Sequence, residues 1–91
     1  MKRIYKYPIE ITDSQTLMLP INSEIISIVN IDEKPYIYAV VEANKESVVQ
    51  HEIICYGTGH NLKPDFYENK FLGTIVFSGG RLVFHFFHRK L

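Results

Sequence analysis

Apolar residues recur with a period of two along most of this 91-residue chain, and this pattern constrains the fold more than any other feature. In VVQHEIICY (residues 48–56), Val49, His51 and Ile53 fall on one face, while the intervening residues fall on the other. Successive side chains of a β-strand point to opposite faces, whereas an amphipathic helix repeats its apolar residues every three or four positions. The chain is therefore predicted to consist of strands.

Turn-forming residues interrupt the alternation about every ten residues, a spacing typical of β-sandwiches and β-barrels. The predicted strands are YKYPIEI (5–11), TLML (16–19), EIISIVNI (24–31), YIYAVVEA (36–43), VVQHEIICY (48–56), FLGTIVF (71–77) and RLVFHFFH (81–88). We predict an all-β fold: a compact sandwich or partly open barrel of six to seven mostly antiparallel strands. It contains at most one short helical turn, at PDFYEN (64–69), where Pro64 suits the first helical position.

Three of these strands carry further information about their place in a sheet. Pro8 has no N–H to donate, so the first strand is predicted to lie at a sheet edge. The β-branched residues of EIISIVNI predict a strand covered on both faces. In the last strand Phe86 and Phe87 point to opposite faces, which predicts either a central strand covered on both sides or a face used as a subunit or partner interface. Its SGG connection to FLGTIVF predicts a hairpin.

Chain length and charge limit the class of protein. Residues 1–91 are predicted to form a single β domain, because a second domain would be too small to bury its own core. Ten basic and ten acidic side chains balance, which argues against general nucleic-acid binding. Cys55 is the only cysteine, so an intrachain disulfide is impossible and a reducing cytoplasm is expected. Without a signal region or an apolar run near ~20 residues, we expect no export and no membrane partner.

The segment CYGTGHN (55–61) holds the most concentrated polar cluster of the sequence. Gly57 and Gly59 are typical of a loop that leaves a strand with positive φ angles. Backbone N–H groups in such a loop can also converge on an anion, although no complete phosphate-binding motif follows. Both interpretations stay open. If the loop binds a ligand, Thr58, His60 and Lys63 are the predicted polar contacts.

No catalytic or metal-binding constellation is evident, and no cofactor is predicted. His85 and His88 are three residues apart, which places them on opposite faces of a strand. His51 and Cys55 share a face but lie about 13 Å apart along it, too far for one metal ion. Cys55 lies in an apolar strand, where a buried and unreactive thiol is usual. We therefore expect no enzyme activity; a small hydrolase using His60 with Cys55 or a bound metal is the weaker alternative.

Tyr36 and Tyr38 share one face of the predicted fourth strand, next to Lys34. Two aromatic rings on one face can stack a planar ligand, and they can equally pack against a neighbouring strand. They are the remaining candidate ligand-binding residues.

Three stretches resemble a family of small phage-encoded proteins of unknown function: KRIYKYPIEITDSQTLMLP (2–20), GTGH (57–60) and LGTIVFSGGRLVFHFF (72–87). In order and spacing the resemblance covers most of the chain. It implies no catalytic residues. It implies a setting, namely an accessory protein made in a bacterial host, and such proteins commonly act stoichiometrically on a host protein or signalling molecule.

This resemblance leads to a functional expectation. The protein is expected to be a homodimer in the cytoplasm of the infected bacterial host. There it would counter a host defence system, either by masking a host protein or by sequestering a small nucleotide-like signal. A structural or assembly protein of the phage particle is the alternative.

Overall fold

The computed structural model describes residues 1–44 and 46–91, which form seven strands and two isolated 3₁₀ turns. The strands are β1 (Lys2–Pro8), β2 (Ser14–Pro20), β3 (Glu24–Ile31), β4 (Lys34–Glu42), β5 (Val48–Gly57), β6 (Lys70–Phe77) and β7 (Leu82–Lys90). The 3₁₀ turns span Phe66–Glu68 and Ser78–Gly80. The first lies within the predicted PDFYEN turn. The second forms the connection of the final hairpin, where a glycine turn without helical character was expected.

The strands form two antiparallel sheets. One sheet has three strands in the order β1-β4-β3, and the other has four in the order β2-β5-β7-β6. The molecule measures 40 × 32 × 15 Å, and its short dimension matches two stacked sheets, which pack about 10 Å apart. The sheets do not close into a barrel. The predicted sandwich architecture is confirmed.

The structure settles the three predictions about strand position. β1 is an edge strand, as Pro8 indicated. β7 lies between β5 and β6 and is covered on both faces, since Phe86 is fully buried in the core and Phe87 packs under other aromatic rings. The prediction for β3 is wrong. β3 lies at the edge of its sheet, and Ile26 remains 43% exposed.

The hydrophobic core lies between the two sheets and takes residues from both. Its largest fully buried side chains are Leu19, Ile37, Val41, Ile53 and Phe86. Ile37 and Val41 come from the middle strand of the three-stranded sheet, and the others come from the facing sheet. Alternate positions of each strand therefore face inward, which is the arrangement that the period of two requires.

Facing edge strands hold the two sheets together on one side. Asn30 of β3 donates its side-chain amide to the Val76 carbonyl of β6 over 2.9 Å, and the Ser78 N–H donates to Glu33 Oε2 over 2.8 Å. Both edge strands contain an irregularity in register, between Ile25 and Ser27 in β3 and between Phe71 and Gly73 in β6. Bulges of this kind twist an edge strand away from further pairing.

The described residues contain no helix with the length and apolar character that a membrane crossing requires.

Candidate functional site

The GTGH segment forms a tight turn at the end of β5. The His60 N–H donates to the Gly57 carbonyl over 3.1 Å, and Gly59 has a φ of +88°, which favours glycine. Gly57 has no positive φ, and a Cβ there would meet only the ring of His60, an exposed side chain that can turn away. Gly59 therefore has a structural reason that requires no ligand.

Thr58 lies beside a histidine of β7. Its Oγ1 is 2.7 Å from Nε2 of His85, and Oγ1 of Thr74 is 2.9 Å from Nδ1 of the same ring. A neutral imidazole has one N–H donor and one acceptor nitrogen, so His85 can satisfy both hydroxyls. The hydroxyl of Thr58 is thus engaged within the protein.

The predicted ligand contacts do not share one site. Thr58 and His60 line one open cavity of about 310 Å³, whereas His60 and Lys63 line another of about 160 Å³. Tyr36 and Tyr38 lie on β4 in the other sheet, and Lys6 Nζ is 4.9 Å from the centre of the Tyr36 ring. The cavity that Tyr36 lines includes no residue of the GTGH turn.

The segment after GTGH folds back over the outer face of the four-stranded sheet. The Tyr56 hydroxyl accepts a hydrogen bond from the Lys63 N–H over 3.2 Å. Phe66 then packs edge-to-face on Tyr56 and Phe87, with ring centres 5.8 and 4.9 Å apart. This cover explains why Ile54 and Tyr56 are buried although they point away from the main core.

Aromatic rings reach the surface at the edge of this cover. Tyr67 stacks edge-to-face on Phe66 but is 89% exposed, and Phe71 packs on Phe87 but is 62% exposed. Edge-to-face contacts favour particular orientations of the two rings. We call Phe66, Tyr67, Phe71 and Phe87 the aromatic surface.

Charged side chains border the aromatic surface. Arg89 donates to Glu52 over 2.8 Å and lies 3.3 Å from Asp65, while the Ser14 hydroxyl donates to Glu52 over 2.6 Å. The hydrogen bond from Ser14, followed by the interaction with Arg89, lowers the pKa of Glu52 despite the opposing effect of burial. Glu52 therefore stays ionised and holds the guanidinium of Arg89 in a fixed position.

A second polar cluster lies on the inner face of the same sheet. His51 is paired in register with Lys90, and His88 is paired with Lys70. These two histidines and two lysines, together with Glu24 and Glu68, line an open cavity of about 290 Å³, which we call the basic cleft. His51 is only 5% exposed, and its Nδ1 has no hydrogen-bond partner among the described residues.

Electrostatics in the basic cleft disfavour positive charge on the histidines. Burial, followed by repulsion from Lys90, lowers the pKa of His51. Burial also lowers the pKa of His88, with further contributions from His51 and Lys70. The cluster therefore combines two lysines with two imidazoles whose positive forms repel one another.

One family model matches the whole chain, residues 1–91, and its description is a domain of unknown function, DUF7352. The chain belongs to the DUF7352 family. A search of curated proteins and a search of solved structures each found no match. The function of this DUF7352 domain therefore has to be argued from its own geometry.

The DUF7352 domain buries its single thiol. Cys55 is 7% exposed, and burial, followed by the negative charge of Asp13, raises the pKa of its thiol to about 11. A thiol with such a pKa is a poor nucleophile near neutral pH. In the described part of the chain, no group of three or more His, Cys, Asp or Glu side chains is placed to hold a metal ion.

Sequence reasoning missed the basic cleft of the DUF7352 domain, and of the aromatic surface it pointed only to Phe87, through the aromatic faces of the last strand. The basic cleft needs the register of three strands, because its basic residues are up to 39 positions apart, from His51 to Lys90. The aromatic surface depends on a loop that folds back across the sheet. Alternation within FYENKF (66–71) gives no signal for this fold-back.

Proposed function

We propose that this DUF7352 domain acts stoichiometrically, by binding, and that it counters a bacterial host defence system by masking a host protein in the cytoplasm of the infected cell. The aromatic surface supports the proposal most directly. Its exposed rings, Tyr67 and Phe71, each make an edge-to-face contact with a partly buried ring. Rigid aromatic side chains dominate the energetics of protein–protein interfaces at low entropic cost.

The surroundings of the aromatic surface favour a protein partner that associates and dissociates. Arg89, Glu52 and Asp65 form an ion-pair network next to the rings. An apolar centre with a charged border is typical of non-obligate interfaces, whereas homodimer interfaces are more apolar. The network would also exclude partners of the wrong charge.

The setting of the proposal comes from the resemblance to small phage-encoded proteins. Masking is favoured over capture of a nucleotide-like signal at GTGH, because Thr58 is engaged by His85 and the turn is closed by its own hydrogen bond with a positive φ at Gly59. A homodimer and a role in the phage particle remain predictions that the same experiment tests.

Phage plating tests the proposal. The protein is expressed in a panel of bacterial strains, each with one defence system, and plaque counts of a restricted phage are compared. We expect the natural sequence to restore plaques on at least one strain. The Tyr67→Ala/Phe71→Ala variant should fail to do so, because it removes both exposed rings. The matched control is Ile4→Ala/Tyr5→Ala, which removes two exposed apolar side chains from the other sheet.

Native mass spectrometry of the tagged protein from the restored strain then identifies the complex. A one-to-one complex with a component of the defence system, lost in Tyr67→Ala/Phe71→Ala and kept in the control, supports masking. Three results would overturn it: no restoration in any strain, equal restoration by the variant, or recovery of the protein only in purified phage particles. A homodimer that the variant dissociates would assign the aromatic surface to a second copy instead.

A further inference from the structure

We propose that the basic cleft is a binding site for a small phosphate-bearing molecule with hydroxyl groups, such as a sugar phosphate. The site lies on the inner face of the four-stranded sheet, whereas the aromatic surface lies on its outer face. Arg89 borders both, but the lysines and histidines of the cleft are not part of the aromatic surface, so either proposal can fail alone.

Strand register gathers lysine and histidine side chains in the basic cleft. His51 lies directly opposite Lys90, and His88 lies directly opposite Lys70. Residues paired in this way have Cβ atoms about 4.5–5.5 Å apart, so each lysine lies beside an imidazole ring. His88 and Lys90 also share a face as neighbours at positions i and i+2 on β7. The fold thus holds two ammonium groups and two imidazole rings around one position, and even a neutral imidazole has one N–H that can donate to a ligand oxygen.

His51 supplies the second, independent observation. It is 95% buried, since only 5% of its surface is exposed, yet its Nδ1 has no partner among the described residues. A buried polar atom without a hydrogen bond is costly, so native proteins normally satisfy it. His51 lines the basic cleft, where a ligand oxygen can accept a hydrogen bond from its ring.

The acidic lining residues indicate what surrounds the phosphate. Glu24 and Glu68 line the same cavity, and none of the ion pairs between described residues involves them, Lys70 or Lys90. Carboxylates accept hydrogen bonds from hydroxyl groups, whereas ammonium groups bind phosphate oxygens. The cavity of about 290 Å³ is at the lower end of the range for ligand sites, which suits a ligand the size of a sugar phosphate.

Nuclear magnetic resonance titration tests the site. The ¹⁵N-labelled protein is titrated near neutral pH with inorganic phosphate, ribose 5-phosphate, ribose and acetate at constant ionic strength. We expect saturable shifts at the amides of β5, β6 and β7 around the basic cleft with both phosphates, tighter binding of ribose 5-phosphate, and weak or no binding of ribose and acetate.

Matched variants then locate the binding. Lys70→Gln/Lys90→Gln should weaken phosphate binding by about tenfold or more, the change expected when a charge-assisted hydrogen bond is lost. Lys2→Gln/Lys34→Gln removes the same amount of charge from the other sheet and should change the phosphate affinity less than about twofold. Both lysines of the cleft are exposed, so their replacement leaves the core intact.

Four results would overturn the proposal. They are no saturation by about 10 mM phosphate, shifts that map outside the basic cleft, equal weakening in the two double variants, and acetate binding as tight as phosphate binding. The last result would replace phosphate by carboxylate as the ligand class.

Discussion

Replacing Gly73 by alanine should destabilise the sandwich at the contact between β3 and β6. A Cβ at residue 73 would lie 2.6 Å from Cγ2 of Ile28, which is about 1 Å short of the 3.5–4.0 Å at which two carbons attract. Cγ2 is bonded to the Cβ of a β-branched side chain, so it cannot move away without a change of rotamer or a shift of the strand. Gly73 also lies at the bulge of β6, opposite the fully buried Phe86.

The magnitude follows from two opposing effects. Overpacking of a filled interior costs about 1–3 kcal/mol. Removing glycine from the unfolded chain returns about 0.4–1 kcal/mol where the native backbone tolerates a side chain, and the φ of Gly73 is not positive. We therefore expect Gly73→Ala to lower the free energy of unfolding by about 1–2 kcal/mol. For a domain of this size, that corresponds to a Tm lower by about 4–16 °C.

Urea unfolding followed by far-ultraviolet circular dichroism measures this change, and a double-mutant cycle tests its cause. Ile28→Leu removes the methyl group on Cβ while keeping the side-chain volume, so Gly73→Ala/Ile28→Leu should be more stable than additivity predicts by about 1 kcal/mol. Ile26→Leu on the same strand is the matched control and should combine additively with Gly73→Ala. A cost below about 0.5 kcal/mol, or full additivity with Ile28→Leu, would refute the close approach as a determinant of stability.

Three further results are expected. Phe86→Ala should cost about 3–5 kcal/mol in urea unfolding, because Phe86 is fully buried at the centre of the core; a loss below about 1 kcal/mol would mean that the core is packed otherwise. Cys55 should resist iodoacetamide at mildly alkaline pH in the native protein and react in urea, because burial raises the pKa of its thiol to about 11; rapid labelling of the folded protein would contradict this. Glu52 has a lowered pKa in the folded state, so its contribution to stability is present above the ordinary value of 4.5 and is lost as the pH falls through the folded-state value. Glu52→Gln should therefore reduce the acid sensitivity of unfolding, and a Gln variant with an unchanged pH dependence would show that the Ser14 and Arg89 contacts do not persist in solution.

In the candidate site, local features could be predicted from the sequence, whereas contacts between distant residues could not. The turn at GTGH was predictable, because the requirement for a positive φ at Gly59 is local. The expected positive φ at Gly57 is wrong, because of these two glycines the turn places only Gly59 in that region. The candidate residues Tyr36 and Tyr38 were correctly assigned to one strand face, but the sequence did not say that this face belongs to the other sheet.

The sequence by itself determined the strands and the alternation within them. A period of two follows from the geometry of the extended backbone. The alternation of residues in β4 and β5 therefore predicts which side chains face inward. Even β3 was located within its bounds, although its β-branched composition wrongly suggested cover on both faces. Propensity reports how well a side chain fits a pleated surface and not where in the sheet the strand lies.

Only the tertiary structure decided which strands meet. The pairs β1–β4, β2–β5 and β5–β7 join distant segments, and an alternating strand is compatible with many partners and registers. A shift of two residues in the pairing of β5 with β7 would keep the apolar side chains facing inward, yet it would separate His51 from Lys90. The basic cleft and the aromatic surface therefore depend on long-range register and on a folded-back loop, which arise from the packing of the whole chain and not from any local pattern.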